Sequence, residues 1–154
     1  MASNAARGYV SYDAEADKFS LTPEQASVFA RESEPTCIQG LIQGVVGQFV
    51  KEDVAIDVFK TGRGRPWGEH HECCFCGTER FFRPAYAGHL LDEWIPALDG
   101  VEDKLKLGAK VADIGCGLGT SSILMAEQFP NSTIHASDFH GPSIEEAKKR
   151  ANEK

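Results

Sequence analysis

Residues 111–120, VADIGCGLGT, constrain this chain more than any other stretch. A short apolar run passes through Asp113 and then sets Gly115, Gly117 and Gly119 at every second position, ahead of an apolar helical pattern. That order predicts a buried parallel strand, a tight glycine turn and a helix N-terminus, the place where α/β folds bind nucleotides and nucleosides. Residues 133–137 read as the next strand and 143–152 as its helix, opened by a capping box between Ser143 and Glu146. A strand–helix–strand unit of this length is parallel, because the crossover helix carries the chain back across the sheet. Its ligand edge is the C-terminal end of each strand, and both the glycine turn and Asp138 fall there.

The glycine spacing discriminates between ligands. A dinucleotide site asks for G-x-G-x-x-G, yet that last position holds Thr120, and no GK[ST] ending marks a P-loop. Gly115 and Gly117 permit a backbone bend that side chains would block and leave room for a ligand against the main chain. Gly119 is expected to begin a helix whose free N–H groups favour an anion. Asp138 is placed to accept two ribose hydroxyls, and Phe139 beside it to pack on an adenine face.

Asp113, Gly115, Cys116, Gly117, Gly119 and Asp138 together resemble motifs I and II of the class I S-adenosylmethionine-dependent methyltransferases. The resemblance implies S-adenosyl-L-methionine as cofactor. The glycine turn would line its methionine portion, Asp113 would stand near its amino group, and Asp138 would hold its ribose. Upstream, residues 77–86 (GTERFFRPAY), 93–100 (EWIPALDG) and 21–26 (LTPEQA) are similar to a bacterial-type group of these enzymes with a winged-helix-like N-terminal region. By that resemblance Arg80 and Tyr86 lie in a segment that lids the cofactor. The Arg would pair with the methionine carboxylate and the aromatic would face the sulfonium. The family sheet has roughly seven strands with helices on both faces. This chain supplies two of them, so the expectation is a chain truncated at both ends, or one whose sheet a partner completes.

The fold expected is therefore α/β: the start of a Rossmann-like sheet, preceded by a mostly helical region with a β-hairpin, in the manner of a partial winged helix. Residues 1–36 form the hairpin and its helix, 37–108 a helical linker or lid, and 109–154 the N-terminal part of the methyltransferase-like domain. Tyr9 to Asp13 and Lys18 to Leu21 alternate as hairpin strands. Thr22, Pro23 and Gln25 spell a capped helix start. Residues 40–60 show helical spacing at Leu41, Val45, Phe49, Ile56 and Phe59, as two helices. Residues 61–68 and 70–77 are expected as loops, 85–97 as a helix striped by Tyr86, Leu90 and Trp94, and 101–107 as a short helix.

With 154 residues and a formal net charge of −7, the chain is ill-suited to a phosphate backbone, so no nucleic-acid partner is expected; a small-molecule methyl acceptor is, with a homodimer as a further option. No stretch is apolar enough to span a bilayer. The first ten residues lack the apolar core of a secretory signal, and five cysteines suit reduced thiols, so a cytoplasmic setting is expected. His70, His71, Cys73, Cys74 and Cys76 are zinc-type ligands crowded into seven positions. No second ligand pair follows, so no metal is assigned and a zinc-binding module stands only as an alternative. A non-catalytic dimerisation or regulatory remnant of the same family is the other. Catalytic residues are not assignable from the sequence.

Overall fold

The computed structural model describes residues 1–154. The chain is α/β, with eight α-helices and two small two-stranded sheets. After a short helix α1 (Ala2–Ala6), strands β1 (Ser11–Asp13) and β2 (Lys18–Ser20) pair antiparallel as the expected hairpin. Helix α2 (Pro23–Phe29) follows, and its capping box is formed: the Thr22 hydroxyl accepts the Gln25 N–H at 3.2 Å, and the Gln25 side chain accepts the Thr22 N–H at 2.9 Å. Pro23 sits in the first turn, where its missing N–H costs nothing.

The apolar spacing of residues 40–60 resolves into α3 (Gln39–Val50) and α4 (Glu52–Thr61). The expected loop at 70–77 is not one. Helix α5 (Glu72–Ala85) runs through it, after a single 3₁₀ turn at Trp67–Glu69. Its N-cap is His71, whose Nδ1 accepts the Cys73 N–H at 3.2 Å; an imidazole lies outside the usual Ser, Thr, Asp and Asn signals. The helix expected to start at 85 is instead the continuation of α5. Buried Pro84 lies inside α5, and the chain then widens into a π-helical stretch (Tyr86–Trp94), closed by the Ile95 N–H on the Leu90 carbonyl at 3.0 Å.

Helix α6 (Val101–Leu107) leads into β3 (Lys110–Ile114), α7 (Thr120–Gln128), β4 (Thr133–Ser137) and α8 (Gly141–Asn152). Strands β3 and β4 pair parallel, with Val111 opposite Ile134 and Asp113 opposite Ala136. Helix α8 starts at Gly141, so Ser143 lies inside it and does not cap it; its hydroxyl pairs with His140 Nδ1 at 2.8 Å. The core gathers beneath β3, where buried Ile95, Leu105 and Phe129 take Leu90, Leu91, Val101, Val111 and Met125 against them.

Side chains alternate along β3 and over the first three residues of β4, beyond which Ala136 is exposed too. Val111, Asp113 and Ile134 are partly buried, while Lys110, Ala112, Ile114, Thr133, His135 and Ser137 are exposed. Parallel sheets are normally covered on both faces. Here one face is open, and Ile114 is 79% exposed. No helix is long and apolar enough to cross a membrane.

Candidate functional site

The glycine turn closes the C-terminal end of β3. Gly115, Gly117 and Gly119 take φ of 78°, 54° and 78°, left-handed values that side chains rarely adopt. A Cβ on Gly115 or Gly117 would meet nothing within 4 Å, so these two stand at open space. Gly119 differs: a Cβ there would come to 3.0 Å of the Ala147 methyl, and α8 packs against the turn through that gap. Gly119 is the N-cap of α7 and Thr120 its first residue.

The turn is tied to the end of β4. The Gly115 and Cys116 N–H groups donate to the Ser137 carbonyl at 2.7 and 3.0 Å. Asp138 accepts the Gly117 N–H on Oδ2 at 2.9 Å and the His140 N–H on Oδ1 at 2.8 Å. The acid that ends the second strand therefore braces the glycine turn. Each oxygen has used one acceptor site and retains another. Asp113 accepts the Ser121 and Ser122 hydroxyls, at 2.7 and 2.6 Å, both on Oδ2.

Over the turn lies a cleft of about 170 Å³, with Asp113, Gly115, Cys116 and Gly117 on its floor. The opposite wall is one face of α5 and its π-helical continuation: Phe75, Glu79, Phe82 and Tyr86, with Trp67 from the 3₁₀ turn. The rings fall in two groups. Trp67 meets Phe75 edge-on at 5.2 Å, Phe75 stacks on His140 at 4.9 Å, and Phe82 stacks on Tyr86 at 6.2 Å. Glu79 is almost buried, its side chain 12% exposed, and accepts the Thr120 hydroxyl and the Arg150 guanidinium, each at 3.1 Å. One carboxylate on the floor without a cationic partner, Asp113, and several ring faces above it suit a cationic or flat ligand.

Of the residues singled out in the sequence, Asp113, Gly115, Cys116, Gly117 and Tyr86 line this cleft. Gly119 and Asp138 shape the turn from behind. Arg80 and Phe139 are not brought to it. Arg80 lies on another side of α5, where it donates to Glu32 at 2.8 Å, to Gln43 at 3.1 Å and to Gln39. Phe139 is 80% exposed, outside the cleft. Cys116 is buried; burial raises its thiol pKa, and the Asp113 and Asp138 carboxylates raise it further, so it stays a protonated, poor nucleophile.

The reading of residues 70–77 as a loop hid Glu79. Once α5 is known to be a helix, Phe75, Glu79, Phe82 and Tyr86 fall at i, i+4, i+7 and i+11, a single face. Arg80 sits one position on and is turned away by 100°. The His and Cys cluster is spread by the same helix. His71 caps it, Cys74 is buried against α3 at the Gly44 carbonyl, and Cys76 is exposed. No three His, Cys, Asp or Glu side chains stand close enough together to hold a metal ion.

Comparison with known proteins gives a likeness over part of the chain. The chain is 34% identical over 56 residues to the ribosomal RNA small subunit methyltransferase C of Haemophilus influenzae (strain PittEE). Those residues cover 36% of this chain and 16% of that protein. No protein-family profile matches the chain. The likeness is thus to a methyltransferase over about a third of the sequence.

Proposed function

We propose that the cleft over Gly115–Gly119 binds S-adenosyl-L-methionine and that the chain is part of a class I methyltransferase acting on a small-molecule acceptor. The observation that carries this reading is the pair of left-handed glycines, Gly115 and Gly117, that stand open at a cleft floored by Asp113. The likeness to a named methyltransferase supports the same class.

The chain's own groups divide the work as follows. The N–H groups of Gly115, Cys116, Gly117 and Gly119 are spent inside the turn, so a carboxylate or other anion is left the free N–H groups in the first turn of α7. Asp113 favours an ammonium or sulfonium, while the Glu79 charge is already met by Arg150 and Arg83; Trp67, Phe82 and Tyr86 offer ring faces to the same cation. S-adenosyl-L-methionine supplies an electrophilic methyl carbon when bound. Methyl transfer from it is an in-line displacement, so orientation is what the protein has to provide. The cleft of 170 Å³ lies below the ~300 Å³ of a typical small-ligand site, so it encloses one portion of the ligand and leaves the rest at the open edge of the sheet. The acidic balance, −7 overall, favours a small acceptor over a phosphate backbone.

Isothermal calorimetry with S-adenosylhomocysteine tests the reading. Saturable heat is expected from the native chain, and Asp138→Ala, checked for an unchanged circular dichroism spectrum, should weaken binding at least tenfold. A native chain that gives no heat at millimolar ligand overturns the assignment.

A further inference from the structure

Helix α3 is built inside out. On a helical projection of Gln39–Val50, Gly40, Gly44 and Gly47 cluster on one side, while Leu41, Ile42, Val45, Val46 and Phe49 occupy the other. The glycine side makes the packing. A Cβ on Gly40 would lie 2.7 Å from the Gly77 carbonyl oxygen of α5, and one on Gly47 would lie 2.7 Å from Cys74 Sγ. The two helices therefore meet backbone to backbone, and the large side chains are sent outward. Leu41, Ile42, Val45 and Val46 are 45–49% exposed, Val50 54% and Phe49 72%. An ordinary surface helix turns such residues to the core.

We propose that this face of α3 is a self-association surface, occupied by α3 of a second copy crossing antiparallel about a two-fold axis near Val45. Area, shape and charge carry the proposal, although its groove shares Trp67 and Phe82 with the cleft over the glycine turn. The six exposed side chains present on the order of 500 Å² per copy, so two copies bury on the order of 1,000 Å², the lower limit for a specific interface. The face is also self-complementary. Phe49 projects near one end of α3. Along α3 from Leu41 to Gln48, a 360 Å³ apolar groove opens between α3 and α5, with Val45, Trp67, Phe81 and Phe82 also lining it. An antiparallel pair centred on Val45 sets Phe49 of each copy opposite Leu41 of the other, over that groove, as an isologous contact requires. Finally, Gln39–Val50 contains no charged residue, so the contact buries no ion. That same lack of Lys and Arg, with a net charge of −7, gives a bilayer surface little to hold.

Sedimentation equilibrium of the 154-residue chain tests this. A dimer mass is expected, with Phe49→Glu weakening association at least tenfold while the circular dichroism spectrum is kept. Should Phe49→Glu fail to fold, Val45→Cys gives an independent readout. Mild oxidation should trap it as a covalent dimer, in excess of any formed by the native cysteines alone. A native chain that stays monomeric across the concentration range overturns the proposal, whether or not it then co-sediments with anionic vesicles. So does a Phe49→Glu dimer as tight as the native one, or a Val45→Cys chain that cross-links no more than the native.

Discussion

Cys76 and Cys116 carry the same thiol in opposite surroundings. Cys76 is exposed on α5. Cys116 is buried in the glycine turn, where burial and then the two carboxylates hold its pKa above the ordinary range. Cys74, buried between α3 and α5, is raised by burial as well. The thiolate is the reactive form, so alkylation reports both exposure and charge. Iodoacetamide at neutral pH, read by peptide mass mapping, should label Cys76 first and leave Cys116 and Cys74 at least tenfold slower. Equal rates would mean that the turn opens readily. The residues legible in the sequence at this scale are those whose chemistry admits one use. Gly115 and Gly117 read as a bend that side chains would block, and both take left-handed backbone that only glycine tolerates cheaply, while Gly119, read as the helix start, is its left-handed N-cap. Asp138 was legible as the acid closing β4, but its bonds to the Gly117 and His140 N–H groups were not, since those depend on how the next loop folds back.

Among elements, the contact between α3 and α5 is the least legible part of the fold. Apolar spacing identifies the helix, but ordinarily it also names the buried face; here the glycine side is buried instead. Two substitutions of the same kind should therefore differ in sign. A Cβ on Gly77 would come to 2.7 Å of the Gly40 carbonyl oxygen and 2.8 Å of the Gly44 Cα, both backbone atoms that cannot swing aside. Gly77→Ala should destabilise the chain by about 1–3 kcal/mol, as overpacking does. A Cβ on Gly44 would meet nothing within 4 Å, and its φ lies outside the left-handed region. Gly44→Ala should stabilise by about 0.5–1 kcal/mol, the helix preference of alanine over glycine. Urea melts of the two variants against the native chain check the pair, and a shared sign would show that the helices pack less closely than described. The strand–turn–helix and second strand were legible because period-two alternation, a glycine turn and an apolar helix follow one another without competing signals. Helix α5 was not, because its start is polar, cysteine-rich and capped by His71.

Across the whole molecule, the N-terminal region is tied to the rest by Arg80. Its guanidinium reaches from α5 to Glu32, just after α2, and to Gln39 and Gln43 of α3, so one side chain joins three segments of the chain. Arg83 adds a longer contact to Glu32 at 3.7 Å. The hydrogen bond from Arg80, with the charge of both arginines, lowers the Glu32 pKa below its ordinary 4.5. A folded-state carboxyl pKa below the unfolded one means that the unfolded chain binds the proton more readily. The clamp then contributes in full above the unfolded value and is lost as pH falls through the folded one. The groups are partly open to water, the Arg80 and Glu32 side chains being 30% and 41% exposed, so the effect is a modest one. Thermal melts of native chain and Glu32→Gln at about pH 7 and about pH 3 isolate it, because titrations of other groups cancel in the difference. The native chain should melt higher at the first pH, and the gap should narrow at the second as the pH moves toward the lowered Glu32 pKa. A gap that persists unchanged in acid would mean that the Glu32 charge contributes nothing, leaving Arg80 to join α5 to α3 through Gln39 and Gln43.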